Sequence, residues 1–166
     1  MDDPDDDGYV FDQGDCERYE YSEIGHGAFE YDFRLLKLLP GSGADVKCEL
    51  FDAFLDKELI EYEAISYVWG PRPSNRARIF IDQKVLPVWP SLYDVLDHLR
   101  DVTQPRILWI DGICINQACQ DDRSRQVQQM AKIFGNARKV HVWLGRPPGD
   151  TPLIMSFSIR YRERNA

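Results

Sequence analysis

Residues 91–112 read SLYDVLDHLRDVTQPRILWIDG, and the spacing of the apolar residues changes within this stretch. In the first half they recur every three or four residues, which is the spacing of one face of a helix. The members of this stripe are Leu92, Val95, Leu96, Leu99 and Val102. From Ile107 to Ile110 the chain is continuously apolar, as in a central strand that is covered on both faces. A helix followed by a buried strand is therefore the first expectation.

The same alternation continues on both sides of this stretch. Residues 62–71 are rich in β-branched and aromatic side chains and end at Gly-Pro, which predicts a buried strand. Residues 121–136 predict a second helix, and residues 139–145 predict a last strand. The expected buried face of the second helix consists of Val127, Met130, Ala131 and Phe134. Strands that alternate with helices predict an α/β fold, with an open, largely parallel sheet flanked by helices.

Shorter signals place the starts of the helices and add strands near the N-terminus. Ser91 is expected to cap the first helix, and either Asp121 or Asp122 the second. Residues 33–39 and 46–50 predict extra N-terminal strands, and residues 78–88 predict two short strands that form a hairpin about Gln83-Lys84.

The charge of the chain is concentrated at its N-terminus. The formal net charge is −8, yet residues 1–23 hold ten acidic residues and one basic residue, so the rest of the chain is nearly neutral. We expect an acidic disordered tail at residues 1–28, a domain at residues 29–150 and a C-terminal extension at residues 151–166, where the chain could be truncated. The tail could be merely solubilising, or it could dock on a basic partner. A nucleic-acid partner is disfavoured, because phosphate contacts need a basic surface.

The sequence also limits the compartment and the chemistry. It has no apolar run of the ~20 residues that a membrane span needs, and its acidic N-terminus is unlike a signal peptide. The cysteines form no Cys-x-x-Cys pair, and the histidines lack zinc-ligand spacing. We therefore expect a cytoplasmic protein with no membrane span, metal or bound cofactor.

Polar residues follow the predicted strands, and in an open α/β sheet ligands bind at the carboxyl ends of strands. The candidate binding residues are Ser66, Trp69, Gly70, Asp111, Asn116, Gln117 and Arg123, with Asp122 as the candidate acid. Arg123 has the planar fork that suits phosphate. Each residue also has an ordinary structural explanation. Asp122 could serve as a helix cap and nothing more, and Trp69 could belong to the core.

Four segments resemble, in order, the heterokaryon incompatibility (HET) domain of filamentous fungi. They are residues 62–70, 108–117, 123–130 and 140–145, and residues 33–41 are similar to the start of that family. The resemblance covers residues 31–146. It implies an intracellular effector of programmed cell death in self/non-self recognition, which self-associates and is controlled by a regulatory protein partner.

The HET family is also distantly similar to TIR domains, which are flavodoxin-like α/β sheets. Some TIR domains cleave NAD with a glutamate as the key residue, so the resemblance implies a candidate NAD glycohydrolase in which NAD is the substrate. The family commonly has Glu-Arg at Asp122-Arg123, and Ala at Gly112. The alternative is a non-catalytic signalling module that acts by self-association.

Overall fold

The computed structural model describes residues 16–22, 32–55, 60–71, 73–146 and 152–158. The strands are β1 (Asp32–Leu38), β2 (Lys47–Phe54), β3 (Glu63–Tyr67), β4 (Ala77–Ile81), β5 (Lys84–Val88), β6 (Arg106–Ile110), β7 (Lys139–Gly145) and β8 (Leu153–Ser158). The helices are α1 (Pro90–Leu99), the short α2 (Asp111–Cys114) and α3 (Gln120–Asn136). None of the helices in these ranges is long and apolar enough to cross a membrane.

The described strands form one mixed sheet in the order β5-β4-β2-β1-β6-β3-β7-β8. The expected α/β class is confirmed, but the sheet is not largely parallel. Parallel pairing joins β3 to β6 and β7, and β2 to β4, whereas the other described pairs are antiparallel. The short connections between β1 and β2 and between β4 and β5 explain the difference, because only antiparallel neighbours can be joined by a tight turn. This mixed order is not that of a parallel, flavodoxin-like sheet.

The strand at residues 106–110 lies at the centre of the sheet, as its apolar sequence predicts. β6 lies between β1 and β3, and Leu108, Trp109 and Ile110 are buried. The hairpin of β4 and β5 also forms, but its turn lies at Asp82 and Gln83, one residue earlier than expected. Both residues have positive φ, at 49° and 67°, which matches the tight turns that join antiparallel strands.

Helix α1 confirms the predicted buried stripe except at one end. Four of the five stripe residues are buried, but Val102 lies beyond the helix and is 70% exposed. The N-cap is Trp89 rather than Ser91, because Pro90 occupies the first helical position, where its missing N–H costs nothing. The Ser91 hydroxyl donates instead to the Trp69 carbonyl at 3.2 Å.

Helix α3 forms where it is expected, but its buried face matches the prediction only in part. Met130 and Phe134 pack on the core as predicted, whereas Val127 is 59% exposed and Ala131 is also exposed. The buried side chains are Asp122, Gln126, Gln129 and Ile133. The helix is turned so that Asp122 reaches Arg34 in β1. Its N-cap is Cys119, so neither Asp121 nor Asp122 is the cap, and both lie in the first turn.

Residues 16–22, here called the strap, lie against the domain although the sequence places them in a disordered tail. The Tyr19 N–H donates to the Val85 carbonyl, and the Val85 N–H donates to the Glu17 carbonyl, so the strap pairs with β5. Tyr19 packs on the core. The remaining residues of the predicted tail lie outside the described ranges. At the other end, β8 belongs to the same sheet, although it lies in the predicted C-terminal extension at residues 151–166.

Candidate functional site

A cavity of about 580 Å³ opens beside the carboxyl ends of β3 and β6 and is here called the cleft. The strap forms one wall, and the end of β3, the start of α1 and the loop after α2 form the rest. Its lining residues are Arg18, Tyr19, Glu20, Tyr21, Tyr67, Trp69, Arg76, Leu86, Pro87, Val88, Trp89, Leu92, Gly112, Asn116, Gln117 and Ala118. The volume is in the range of small-molecule binding sites, roughly 300–1,000 Å³.

Aromatic rings dominate the cleft. The rings of Tyr67 and Trp69 are nearly parallel, with centroids 6.1 Å apart, and Trp89 meets Trp69 edge-on at 5.5 Å. The Arg76 guanidinium lies 5.4 Å from the centroid of the Trp89 ring. The hydroxyl of Ser91 in α1 fixes the loop after β3, as described above. Gly70 has φ of +79°, so its contribution is a left-handed backbone turn that other residues rarely adopt.

Asp111 lies behind Trp69 at the start of α2. The Trp69 side chain and the Gly112 N–H hydrogen-bond to its carboxylate. Its Oδ1 atom is buried and has no hydrogen-bond partner within the described part of the chain. Burial raises the pKa of Asp111, and hydrogen bonds from Gly112, Trp69 and the backbone of Asp111 itself oppose that rise only in part. The Asp111 carboxylate therefore holds the Trp69 side chain through a hydrogen bond, while its Oδ1 atom accepts none from the described residues.

Asp122 has the opposite surroundings. Its Oδ2 accepts a hydrogen bond from Arg34 Nη1 at 2.7 Å and one from the Asn116 N–H at 2.7 Å. The side chains of Arg34 and Asp122 are only 3% and 8% exposed. Because Asn116 lines the cleft, this buried ion pair fixes one cleft wall through the backbone. We refer to Arg34 and Asp122 as the ion-pair centre.

The strap closes over the ion-pair centre. Arg34 Nη2 donates to the Ser22 carbonyl at 2.9 Å, and the guanidinium lies 5.3 Å from the Tyr21 ring centroid. The Tyr21 hydroxyl donates to the Ile113 carbonyl at 2.8 Å. The strap therefore contacts the ion-pair centre through Ser22 and Tyr21. Other side chains of the same segment form one wall of the cleft.

The structure brings only some of the predicted site residues together. Trp69, Asn116 and Gln117 line the cleft, and Asp111 lies directly behind it. Ser66 is exposed and, by strand alternation, points to the face opposite Tyr67. Gly70 is exposed at the turn, while Asp122 and Arg123 are not among the lining residues. The binding roles of these residues and the catalytic role of Asp122 stay predictions.

Several residues of the cleft and of the ion-pair centre were not predicted from the sequence. The strap residues were missed because the acidic charge around them outweighed the aromatic signal of Tyr19 and Tyr21. Arg34 was missed inside an apolar strand, although a lone arginine in such a strand is a signal for a buried anionic partner. Among the described residues, no group of three or more His, Cys, Asp and Glu side chains is placed to hold a metal ion.

Comparison with known proteins adds two similarities. The family model described as "Heterokaryon incompatibility protein (HET)" matches residues 62–165. "Heterokaryon incompatibility protein 6, OR allele" of Neurospora crassa is 33% identical over 154 aligned positions, which cover 82% of this chain and 22% of that protein. The chain thus spans about a fifth of the length of that curated relative. No solved structure matches the chain.

Proposed function

The chain belongs to the heterokaryon incompatibility (HET) family, and from this premise we propose that it is a cytoplasmic effector domain of fungal heterokaryon incompatibility that triggers programmed cell death. Its proposed activity is the binding and cleavage of a nucleotide such as NAD in the cleft. The observation that carries the proposal is the pairing of stacked aromatic rings with arginines in one cavity of nucleotide size.

The chemistry of the cleft fits a nucleotide. Trp69 and Trp89 offer faces on which a base can stack, and such stacking contributes about 1–3 kcal/mol per base. Arg18 and Arg76 line the same cavity and carry planar guanidinium groups that match phosphate oxygens. Asn116 and Gln117 supply amides that can accept from and donate to a base edge or a ribose.

Cleavage of the bond between nicotinamide and ribose builds positive charge on the ribose, which a carboxylate can stabilise, as in glycoside hydrolysis. Glu20 of the strap is the one carboxylate among the cleft-lining residues in the described ranges, so it is placed to contact a ligand. Asp111 and Asp122 instead act on the cleft through Trp69 and Asn116. This arrangement supports a positioning role for Asp122 ahead of a catalytic one.

The test is release of nicotinamide from NAD by the purified protein. We expect Trp69→Ala to lower the rate at least about tenfold, since it removes a stacking face. Arg76→Ala should also lower it, whereas Arg78→Ala, an exposed arginine of β4 outside the cleft, is the matched control and should not. Glu20→Gln should abolish cleavage but retain binding.

Asp122 needs its own comparison. Asp122→Glu, which restores the residue common in the family, should keep the charge, and Asp122→Asn should remove it. If the rate of NAD cleavage falls only in proportion to the amount of folded protein in these variants, Asp122 is a positioning residue. If folded Asp122→Asn binds NAD but does not cleave it, Asp122 is the catalytic carboxylate.

A second candidate function is a non-catalytic module that signals by self-association or through a regulatory protein partner. The observation in its favour is β8, an uncharged edge strand whose Leu153, Met155 and Phe157 side chains are about half exposed. Edge strands in soluble proteins are usually protected by charges or prolines. This function predicts no nicotinamide release and a concentration-dependent increase in sedimentation coefficient that Met155→Lys removes.

A further inference from the structure

A second group of polar side chains lies at the opposite end of β3 from the cleft. Glu63 opens β3, Arg106 opens β6, and His141 lies in the neighbouring strand β7. Ser156 lies in the edge strand β8 directly opposite His141 in the antiparallel register. Glu63 and Tyr67 are separated by four residues of extended chain, about 13 Å, so this group is distinct from the cleft.

The three side chains Ser156, His141 and Glu63 form a continuous hydrogen-bonded line. The Ser156 Oγ atom lies 2.8 Å from His141 Nδ1, and His141 Nε2 is in hydrogen-bond contact with Glu63 Oε2. Because a carboxylate can only accept, Nε2 carries the proton. In the neutral ring Nδ1 is therefore an acceptor, and the Ser156 hydroxyl donates to it.

The third member of the line is held as an anion. Hydrogen bonds from His141 and Arg106 lower the pKa of Glu63 to about 2, although burial opposes them. Arg106 is itself fixed, since its Nη1 donates to the Leu99 carbonyl at 2.8 Å. Its Nη2 lies 3.1 Å from His141 Nε2, and both nitrogens contact the same Glu63 oxygen. With the proton assigned to Nε2, the two nitrogens share that oxygen as their acceptor.

The histidine and the serine of this line differ in solvent exposure, and the difference suits a reactive hydroxyl. His141 is buried and Ser156 is exposed, so the base is shielded from water while the hydroxyl is open to a ligand. A nucleophile within hydrogen-bond reach of a base, with the base oriented by a third group, is the arrangement that activates serine. Within the described sheet β8 is an edge strand, so alternate N–H groups of its backbone have no partner strand there, and such donors can stabilise an oxyanion.

We propose that Ser156 is an activated nucleophile, with His141 as its general base and Glu63 as the group that orients the base, and that it accepts an acyl group from a small carboxylic ester. Ser156 Oγ forms a bond to the carbonyl carbon as the ester C–O bond breaks. The hydroxyl proton passes to His141 Nδ1 and then to the departing alkoxide. Water releases the acid from the acyl-serine by the same route, with His141 again accepting and returning the proton.

The test uses a fluorophosphonate probe on the full chain, with the adduct located by peptide mass spectrometry. In this reaction the Oγ–P bond forms, the P–F bond breaks, fluoride leaves and the hydroxyl proton passes to His141. We expect Ser156 to react at least about 100-fold faster than Ser158, because a positioned general base contributes about that much. Ser158 lies on the same strand opposite Lys139 and is the matched control.

Variants separate reactivity from structure. Ser156→Ala should abolish labelling, Ser158→Ala should leave it unchanged, and Glu63→Gln should slow it at least about tenfold in protein that still melts cooperatively. With p-nitrophenyl acetate, the parent should release a burst of nitrophenol that Ser156→Ala lacks. If Ser156 in the folded parent labels no faster than Ser158, the line is only a polar link between β8 and the sheet, and the proposal is overturned.

Discussion

Asp111 and Asp122 are carboxylates withdrawn from water on either side of one cleft wall, and their surroundings are opposite. Asp122 meets a guanidinium at 2.7 Å and a backbone N–H on the same oxygen. Asp111 keeps one buried oxygen without a partner in the described ranges, and burial raises its pKa. The difference indicates that Asp122 stabilises the fold while Asp111 costs stability near the ligand cavity, as polar groups at functional sites often do.

The largest effect should come from breaking the ion-pair centre. Asp122→Asn leaves Arg34 buried without its anion, and losing one partner of a buried pair costs about 3–5 kcal/mol. Urea denaturation measures the free energy of unfolding. Asp121→Asn, on the exposed side of the same helical turn, should change it by less than about 0.5 kcal/mol. Equal effects of the two variants would show that the ion pair contributes nothing.

Removing the strap should have the next largest effect, because Tyr21 and Ser22 cover the ion-pair centre. Deletion of residues 1–22 removes the Tyr21 and Ser22 hydrogen bonds and the packing of both tyrosines, at a cost of roughly 2–4 kcal/mol. Deletion of residues 1–15 is the control and should leave the melting temperature nearly unchanged. Equal melting temperatures for the two truncations would contradict the packing of the strap.

A smaller effect is expected beside Asp111. A Cβ atom at Gly112 would overlap the Tyr67 hydroxyl and lie 3.2 Å from Leu92 Cδ2. Gly112→Ala should therefore destabilise the protein by about 1–3 kcal/mol. Tyr67→Phe removes the clashing oxygen, so the double variant should recover most of the loss. A Gly112→Ala variant as stable as the parent, with or without Tyr67→Phe, would show that the ring simply moves aside.

The smallest effect should be a pH dependence with opposite signs for two carboxylates. The raised pKa of Asp111 means that the folded state holds its proton more tightly than the unfolded state, so its stability contribution declines as pH rises through the folded pKa. Asp111→Asn should therefore stabilise the protein at neutral pH, and the gain should shrink as pH falls. Unfolding free energies between pH 4 and pH 8 measure this.

Glu63 provides the comparison of opposite sign. Its pKa is lowered to about 2, so its contribution is present above the ordinary value of 4.5 and is lost as pH falls toward 2. Glu63→Gln should destabilise the protein at neutral pH and converge with the parent as pH falls from 4.5 toward 2, so its unfolding free energy is measured down to about pH 2. Parallel profiles for Asp111→Asn and Glu63→Gln would contradict the difference in their surroundings.

The spacing of apolar residues predicted where the helices and strands lie, but not how they pack or pair with one another. The buried strand β6 and the buried stripe of α1 follow from the sequence alone, because a strand covered on both faces and a helix buried on one face have distinct apolar patterns. The face of α3 does not, because its buried side is set by a partner in another element: Arg34 draws in Asp122, and Gln126 and Gln129 follow at helical spacing. The strand directions could not be predicted either. The alternation of helices and strands does not show that β1 lies between β2 and β6 and runs antiparallel to both.

The cleft was foreseen in part for the same reason. Trp69, Asn116 and Gln117 were found because they follow strands, and strand ends gather at one edge. The strap wall depends on hydrogen bonds to β5 and α2, whose partner residues lie 66 or more residues further along the chain, so the local composition gave no sign of it. Glu63, His141 and Ser156 come from three strands, and each alone reads as an ordinary polar residue.

The position of β3 has a consequence for how the chain folds. Both of its neighbours, β6 and β7, come later in the sequence, whereas β1 with β2 and β4 with β5 are pairs of consecutive strands. Consecutive pairs close short loops and form early, and non-local pairs form slowly. β3 therefore carries its buried Ala64 and Ile65 unpaired until residues 106–110 arrive, and one of its edges stays open until β7 is made. During synthesis β3 is paired on both edges only after β7 is made, so a ribosome pause between β6 and β7 would hold the chain with that edge open to aggregation.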